Sequence, residues 1–163
     1  MHPASDARLA RVVLDGEALT RLSPLLEADR AQAVSDLAAE NQFQPLTPRH
    51  GAPPGPFVLH LSINEGRLAF DIRHADDREL AAVLLALGPF RRLIKDYQML
   101  VESHAQAVQE GREPSIEAID MGRRALHNEG AALLRDRLAG KIGIDFDTAR
   151  RLFTLVCVLH QRL

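Results

Sequence analysis

The stretch FVLHLSINEGRLAFDI, Phe57 to Ile72, carries the reading on which the fold class turns. Phe57, Leu59, Leu61 and Ile63 alternate with Val58, His60 and Ser62, the two-residue period of a strand that buries one face. Asn64, Glu65 and Gly66 form a three-residue hairpin signal, because glycine adopts a left-handed conformation at no steric cost. Leu68, Phe70 and Ile72 then resume the alternation against Arg67, Asp71 and Arg73. The pattern predicts two antiparallel strands joined by a tight turn.

Outward from this hairpin, HADDRE turns the chain into LAAVLLAL at 80–87, where propensity alone allows helix or strand. Its length and the following Gly88-Pro89 favour a third meander strand. Upstream, Val12 to Leu14 is a short β-rich run, read as an N-terminal strand. Between them Ser23 stands at an N-cap and Pro24 at the first helical position, and Leu26, Ala33, Val34, Leu37 and Ala38 recur at helical spacing to about Glu40. A short strand at Phe43 is an optional addition. Residues 44–56, rich in proline and glycine, read as a flexible surface loop.

From Pro89 onward the period is helical. Phe90, Ile94, Tyr97, Val101 and Val108 define one face of a helix reaching about Gln109, which EGREPS interrupts. Ser115 caps a second helix that stops at Gly140, and Asp145 or Asp147 caps a last one, stapled by Phe146. The expected architecture is a single α+β domain over residues 1–163. An antiparallel sheet, made of the N-terminal strand and a three-strand meander, packs against the N-terminal helix and three C-terminal helices.

Bulk properties exclude several function classes. A formal charge of -2 and a pI near 6.4 lack the basic excess that phosphate backbones demand, and 4% aromatic residues with no Trp leave few platforms for stacking bases. No nucleic-acid partner is expected. The one cysteine, Cys157, lies in the apolar run LFTLVCVL and reads as a core residue of a reducing compartment. Apolar runs fall short of the ~18 residues of a membrane span, and MHPASDARLAR lacks a signal core. A cytoplasmic protein without a membrane association is the expectation.

Candidate chemistry concentrates in the C-terminal helices. Wound at about 100° per residue, Ile119 to Leu134 turns Ile116, Ile119, Leu126, Leu133 and Leu134 to one side, with Ala118, Gly122, Ala125 and Ala132 on its flank. Arg123, Glu129 and Arg137 fall inside that arc and His127 lies at its edge, while Glu117, Arg124, Asn128 and Arg135 face out. Tyr97 and His104 lie on the apolar stripe of the preceding helix and His160 on that of the last. Desolvating a lone ion costs several kcal/mol, so inward charges need partners.

Three readings stay open. The charges pair structurally, Arg123 and Glu129 with each other or with neighbours across the helix packing; or Tyr97, Arg123, Arg91, Lys95 and Arg150 line a cleft for an anionic ligand; or His127 or His104, with Glu129 nearby, acts as an acid/base catalyst. Arginine pairs at 91–92, 123–124 and 150–151 sharpen the second reading. Arg92 with Asp96, Asp120 with Arg124 and Asp147 with Arg151 have four-residue spacing, which leaves Arg91, Lys95, Arg123 and Arg150 without an equally good partner. The histidines at 2, 50, 60, 74, 104, 127 and 160 show no four-residue pairing and no accompanying cysteine motif, so no metal site and no cofactor are expected. Nucleophile elbows and phosphate loops are missing as well.

PFRRLIKDY (89–97), IEAIDMGRRALHNEG (116–130) and DFDTARRLFTLVCVLH (145–160) together resemble a small bacterial family of uncharacterised proteins, number two-six-two of the UPF series. The likeness spans nearly the whole chain. It implies a cytoplasmic bacterial protein and assigns a catalytic role to no position. From the residues, the leading expectation is a non-catalytic binding or regulatory protein that recognises a partner protein or an anionic metabolite through its C-terminal arginines. The alternative is a small enzyme using His127 or His104 on an anionic substrate. A homodimer through the very apolar last helix, by way of Leu155 and Val158, is a third reading.

Overall fold

The computed structural model describes residues 6–15, 23–49 and 51–160. In chain order the elements are β1 (Leu9–Leu14), α1 (Pro24–Ala39), β2 (Phe43–Pro45), β3 (Phe57–Asn64), β4 (Arg67–His74) and β5 (Glu79–Ala86). A 3-10 turn (Gly88–Phe90) leads into α2 (Arg91–Glu110), α3 (Glu113–Leu138), β6 (Ile142–Ile144) and α4 (Phe146–His160).

The hairpin forms as its alternation demands, with Phe57 opposite His74 and Asn64 opposite Arg67. Its loop is tighter than the expected three residues. Glu65 and Gly66 alone connect the strands, at φ 51° and 75°, the left-handed pair that matches the twist of two-residue hairpins. β5 continues the meander antiparallel to β4. One expectation is corrected at β1: it runs parallel to β3, so the four-stranded sheet, ordered β1-β3-β4-β5, is mixed rather than antiparallel. Parallel neighbours need a long crossover, and the connection from Asp15 to Pro56 supplies one containing all of α1.

The second, two-stranded sheet pairs β2 with β6, Phe43 opposite Ile144. Phe43 was the optional strand; β6 had no signal of its own beyond IGI, which becomes a strand only by finding β2. Segment 44–56 thus begins within β2, and further on Thr47 and Gly51 exchange backbone bonds of 2.7 and 2.9 Å. Helix starts follow the caps. Ser23 accepts from the Leu26 amide, and Asp145 accepts from the Thr148 amide at 3.1 Å. α3 begins at Glu113, two residues ahead of the expected Ser115 cap, because Pro114 fits the first turn, where no amide is needed.

The sheet's buried face (Phe57, Leu59, Leu61, Leu68, Phe70, Ile72) and the helices enclose one apolar core. α4 lies in its middle, packed on α1, α2, α3 and β3. Leu155 and Val158 are fully buried there, so they present no surface to a second copy. α3 approaches α4 closely at Gly130, where an added Cβ would lie 2.3 Å from the Phe153 ring. Among the described residues no helix is long and apolar enough to cross a membrane.

Candidate functional site

On α1, Leu26, Asp29, Ala33 and Leu37 are buried at helical spacing, so the inward stripe carries one carboxylate. Two groups from the C-terminal helices answer it. The Tyr97 hydroxyl donates to Asp29 Oδ2, and Arg123 Nη1 donates to Asp29 Oδ1 at 2.6 Å. Arg123 also reaches Asp120 Oδ1 through Nη2, at 3.3 Å. Burial raises the Asp29 carboxyl above the ordinary carboxylate range, opposed by the Tyr97 bond and by the Arg123 charge. Burial, then the Asp29 carboxylate, lift the Tyr97 phenol well above its usual range.

One turn beyond Arg123, the His127 ring stacks at a tilt on Tyr97, with centroids 5.3 Å apart. Only 8% of His127 is exposed, and its Nε2 is buried without a hydrogen-bond partner. Burial, reinforced by the Arg123 and Arg150 charges, pushes its pKa down to about 4. The imidazole is therefore neutral at pH 7.

Asp29, Arg123 and His127 open onto a groove of about 210 Å³ between α1, α3 and α4. α1 adds Gln32 and Asp36, α3 adds Arg124, and α4 adds Arg150, Arg151 and Thr154. Arg151 donates to the Glu40 carbonyl oxygen at 3.1 Å and holds its Nε 3.7 Å from Asp36. Arg150 lies 3.3 Å from Asp147. Arg124 has no ionic partner among the described residues.

Arg123, Arg150 and His127 thus line one groove, whereas Tyr97 is fully buried behind Asp29 and does not line it, and other expected members lie elsewhere. Glu129 does not turn inward: its side chain is 54% exposed and accepts from Arg92 Nη2 at 2.6 Å. Arg137 is exposed too. The buried stripe of α3 runs through Leu126, His127, Gly130, Ala131, Leu134 and Leu138, and the flank at Ala125 and Ala132 is exposed. The expected arc was centred on Ile116, Ile119 and Leu133, which are only half-buried. α3 packs on both α2 and α4, and no single stripe describes a helix with two different neighbours.

Arg91 and Lys95 are exposed in the first turns of α2, outside the groove lining. His104 is half-exposed and also outside it, though near enough for its charge to favour ionised Asp29. His160 is held below its usual range by partial burial and then by Arg91. Of the three four-residue charge pairs only Arg92 with Asp96 forms, at 3.3 Å. Asp120 and Asp147 instead take Arg123 and Arg150, three residues on, which frees Arg151 to reach α1. Asp29 was missed. Its place on the Leu26, Ala33, Leu37 stripe was the available signal, whereas nothing in the sequence pointed from Arg151 to Asp36. Among the described residues no group of three or more His, Cys, Asp or Glu could hold a metal ion.

The model of a family described as "Uncharacterised protein family (UPF0262)" matches residues 6–162. Similar bacterial proteins bearing that family's name include one from Granulibacter bethesdensis, 68% identical over 98% of this chain and 93% of its own length. One from Acidiphilium cryptum is 58% identical over 95% and 93%, and one from Rhodopseudomonas palustris strain HaA2 is 51% identical over 97% and 94%. No solved structure matches the chain.

Proposed function

The chain belongs to the uncharacterised protein family UPF0262, and we propose, from the chemistry of its interhelical groove, that it is a cytoplasmic, non-catalytic binding protein for a small anionic metabolite. The observation that carries this reading is a groove wall on which, among the described residues, Arg124 has no ionic partner and stands with Arg123, Arg150, Arg151 and the buried, neutral His127 ring. Planar guanidinium forks bind a carboxylate or phosphoryl group through two parallel hydrogen bonds. At about 210 Å³ the groove is smaller than the ~300–1,000 Å³ typical of drug-sized ligands. That suits a compact anion rather than a large cofactor.

The acid/base alternative draws on the meeting of Tyr97, Asp29, Arg123 and His127. It fares worse on proton affinity, because a general base works best with a pKa near the operating pH, and His127 lies at about 4. His104 does not line the groove, and Glu129 pairs elsewhere.

An anion seated beside His127 offsets the Arg123 and Arg150 charges that hold its pKa down. Titration of the protein with inorganic phosphate and with malonate, followed through the His127 ring resonances, should therefore raise that pKa by at least one unit. Arg150→Ala, which leaves the Asp29 cluster intact, should weaken the effect at least tenfold. If neither anion moves the His127 resonances at millimolar concentration, the reading is rejected.

A further inference from the structure

We propose that the outer edge of β5 is a docking site for an extended acidic segment of a partner protein, which adds to the sheet as a fifth strand. β5 is last in the order β1-β3-β4-β5, so one of its edges meets no strand among the described residues. The Leu87 amide donates to the Gly66 carbonyl oxygen, opposite it across the turn. By antiparallel alternation the amides of Ala82, Leu84 and Ala86 then turn away from β4. Among the described residues no backbone hydrogen bond joins these positions to another segment.

Proteins blunt such edges with charges, prolines or short strands. β5 is eight residues long, ELAAVLLA, with no proline and a single charge at its first position. Beside it runs a cleft of about 930 Å³ lined by five consecutive residues, Leu80 to Leu84. A cleft over one face of a sheet would touch every second residue, because successive side chains point to opposite faces. Contact with consecutive residues means that it follows the edge. Five residues of strand span about 17 Å, a peptide-length slot.

The opposite wall, segments 46–49 and 140–141, states the partner's chemistry. Leu46 faces the slot 44% exposed, and Leu84 across it is 54% exposed, so the segment must bring apolar side chains. Among the described residues, Arg49 and Lys141 are the only charged members of the lining, and neither has an ionic partner. The segment must therefore be acidic. A second copy would offer this slot the same two cations and no acid of the slot itself. Strand addition of this kind takes its affinity from main-chain hydrogen bonds and its specificity from flanking side chains. Among the described residues the slot shares none with the interhelical groove, so either proposal can fail alone.

The test uses the full chain and two synthetic octapeptides, one alternating valine with glutamate and one alternating valine with lysine. The glutamate peptide should slow amide hydrogen exchange at Ala82, Leu84 and Ala86 at least tenfold at saturation. It should also bind at least tenfold more tightly than the lysine peptide. Arg49→Glu with Lys141→Glu, both at exposed positions, should invert that preference without disturbing the fold. Absence of protection at these amides overturns the proposal, as does a preference that survives the double charge reversal. Protection that grows with protein concentration alone overturns it in favour of edge-to-edge pairing of two copies.

Discussion

Asp29 bonds both to Tyr97 of α2 and to Arg123 of α3, and its removal tests whether that cluster stabilises the fold or merely tolerates a site. Arg123 is 19% exposed and retains Asp120 at 3.3 Å, so the loss is softened relative to a fully buried pair. Asp29→Ala should cost about 2–4 kcal/mol in urea unfolding. Replacing both partners, as in Asp29→Leu with Arg123→Met, removes the stranded charge along with the pair and should recover at least half of that loss. A double variant as unstable as the sum of the singles would show that the two side chains are not coupled. The sequence made Arg123 legible because a cation among apolar neighbours on a helical wheel stands out. Asp29 is less legible, because it is the single polar member of a stripe whose period is carried by Leu26, Ala33 and Leu37.

At the scale of elements, α3 and α4 approach so closely because Gly130 has no side chain. Gly→Ala inside a helix ordinarily gains up to about 1 kcal/mol, but here the new methyl would lie 2.3 Å from Phe153 ring carbons in a fully buried position. Overpacking of that kind costs about 1–3 kcal/mol and wins. Gly130→Ala should lower the thermal midpoint, and adding Phe153→Leu should restore part of the loss; a Gly130→Ala protein more stable than the parent would contradict the close contact. Elements whose pattern depends on neighbours in sequence were legible, as with the β3–β4 hairpin and the Ser23 and Asp145 caps. Elements defined by distant partners were not. β6 exists because β2 lies beside it, and the facing of α3 is divided between α2 and α4.

For the molecule as a whole, His127 couples the groove to stability. Its folded pKa of about 4 lies below the ordinary 6.5, so the unfolded chain binds the proton more readily. Stability from this group is complete above pH 6.5 and is lost as pH falls towards 4, by about 3 kcal/mol. Asp29, whose carboxyl is raised, contributes with the opposite sign at the acid end, so the comparison must be between parent and variant. The difference in unfolding free energy between the parent and His127→Gln should shift by about 3 kcal/mol between pH 7 and pH 4; a pH-independent difference would mean that His127 titrates normally. The chain's own order of apolar and polar residues determined the α+β class, the meander and the positions of the helices, because those follow from periods of two and of about 3.6 residues. Only the tertiary structure decided that β1 lies parallel to β3, that α4 is the central helix, and that Asp29 gathers Tyr97 and Arg123. Each of these is a contact between residues far apart in sequence, and local periodicity contains no term for which distant face will answer a given one.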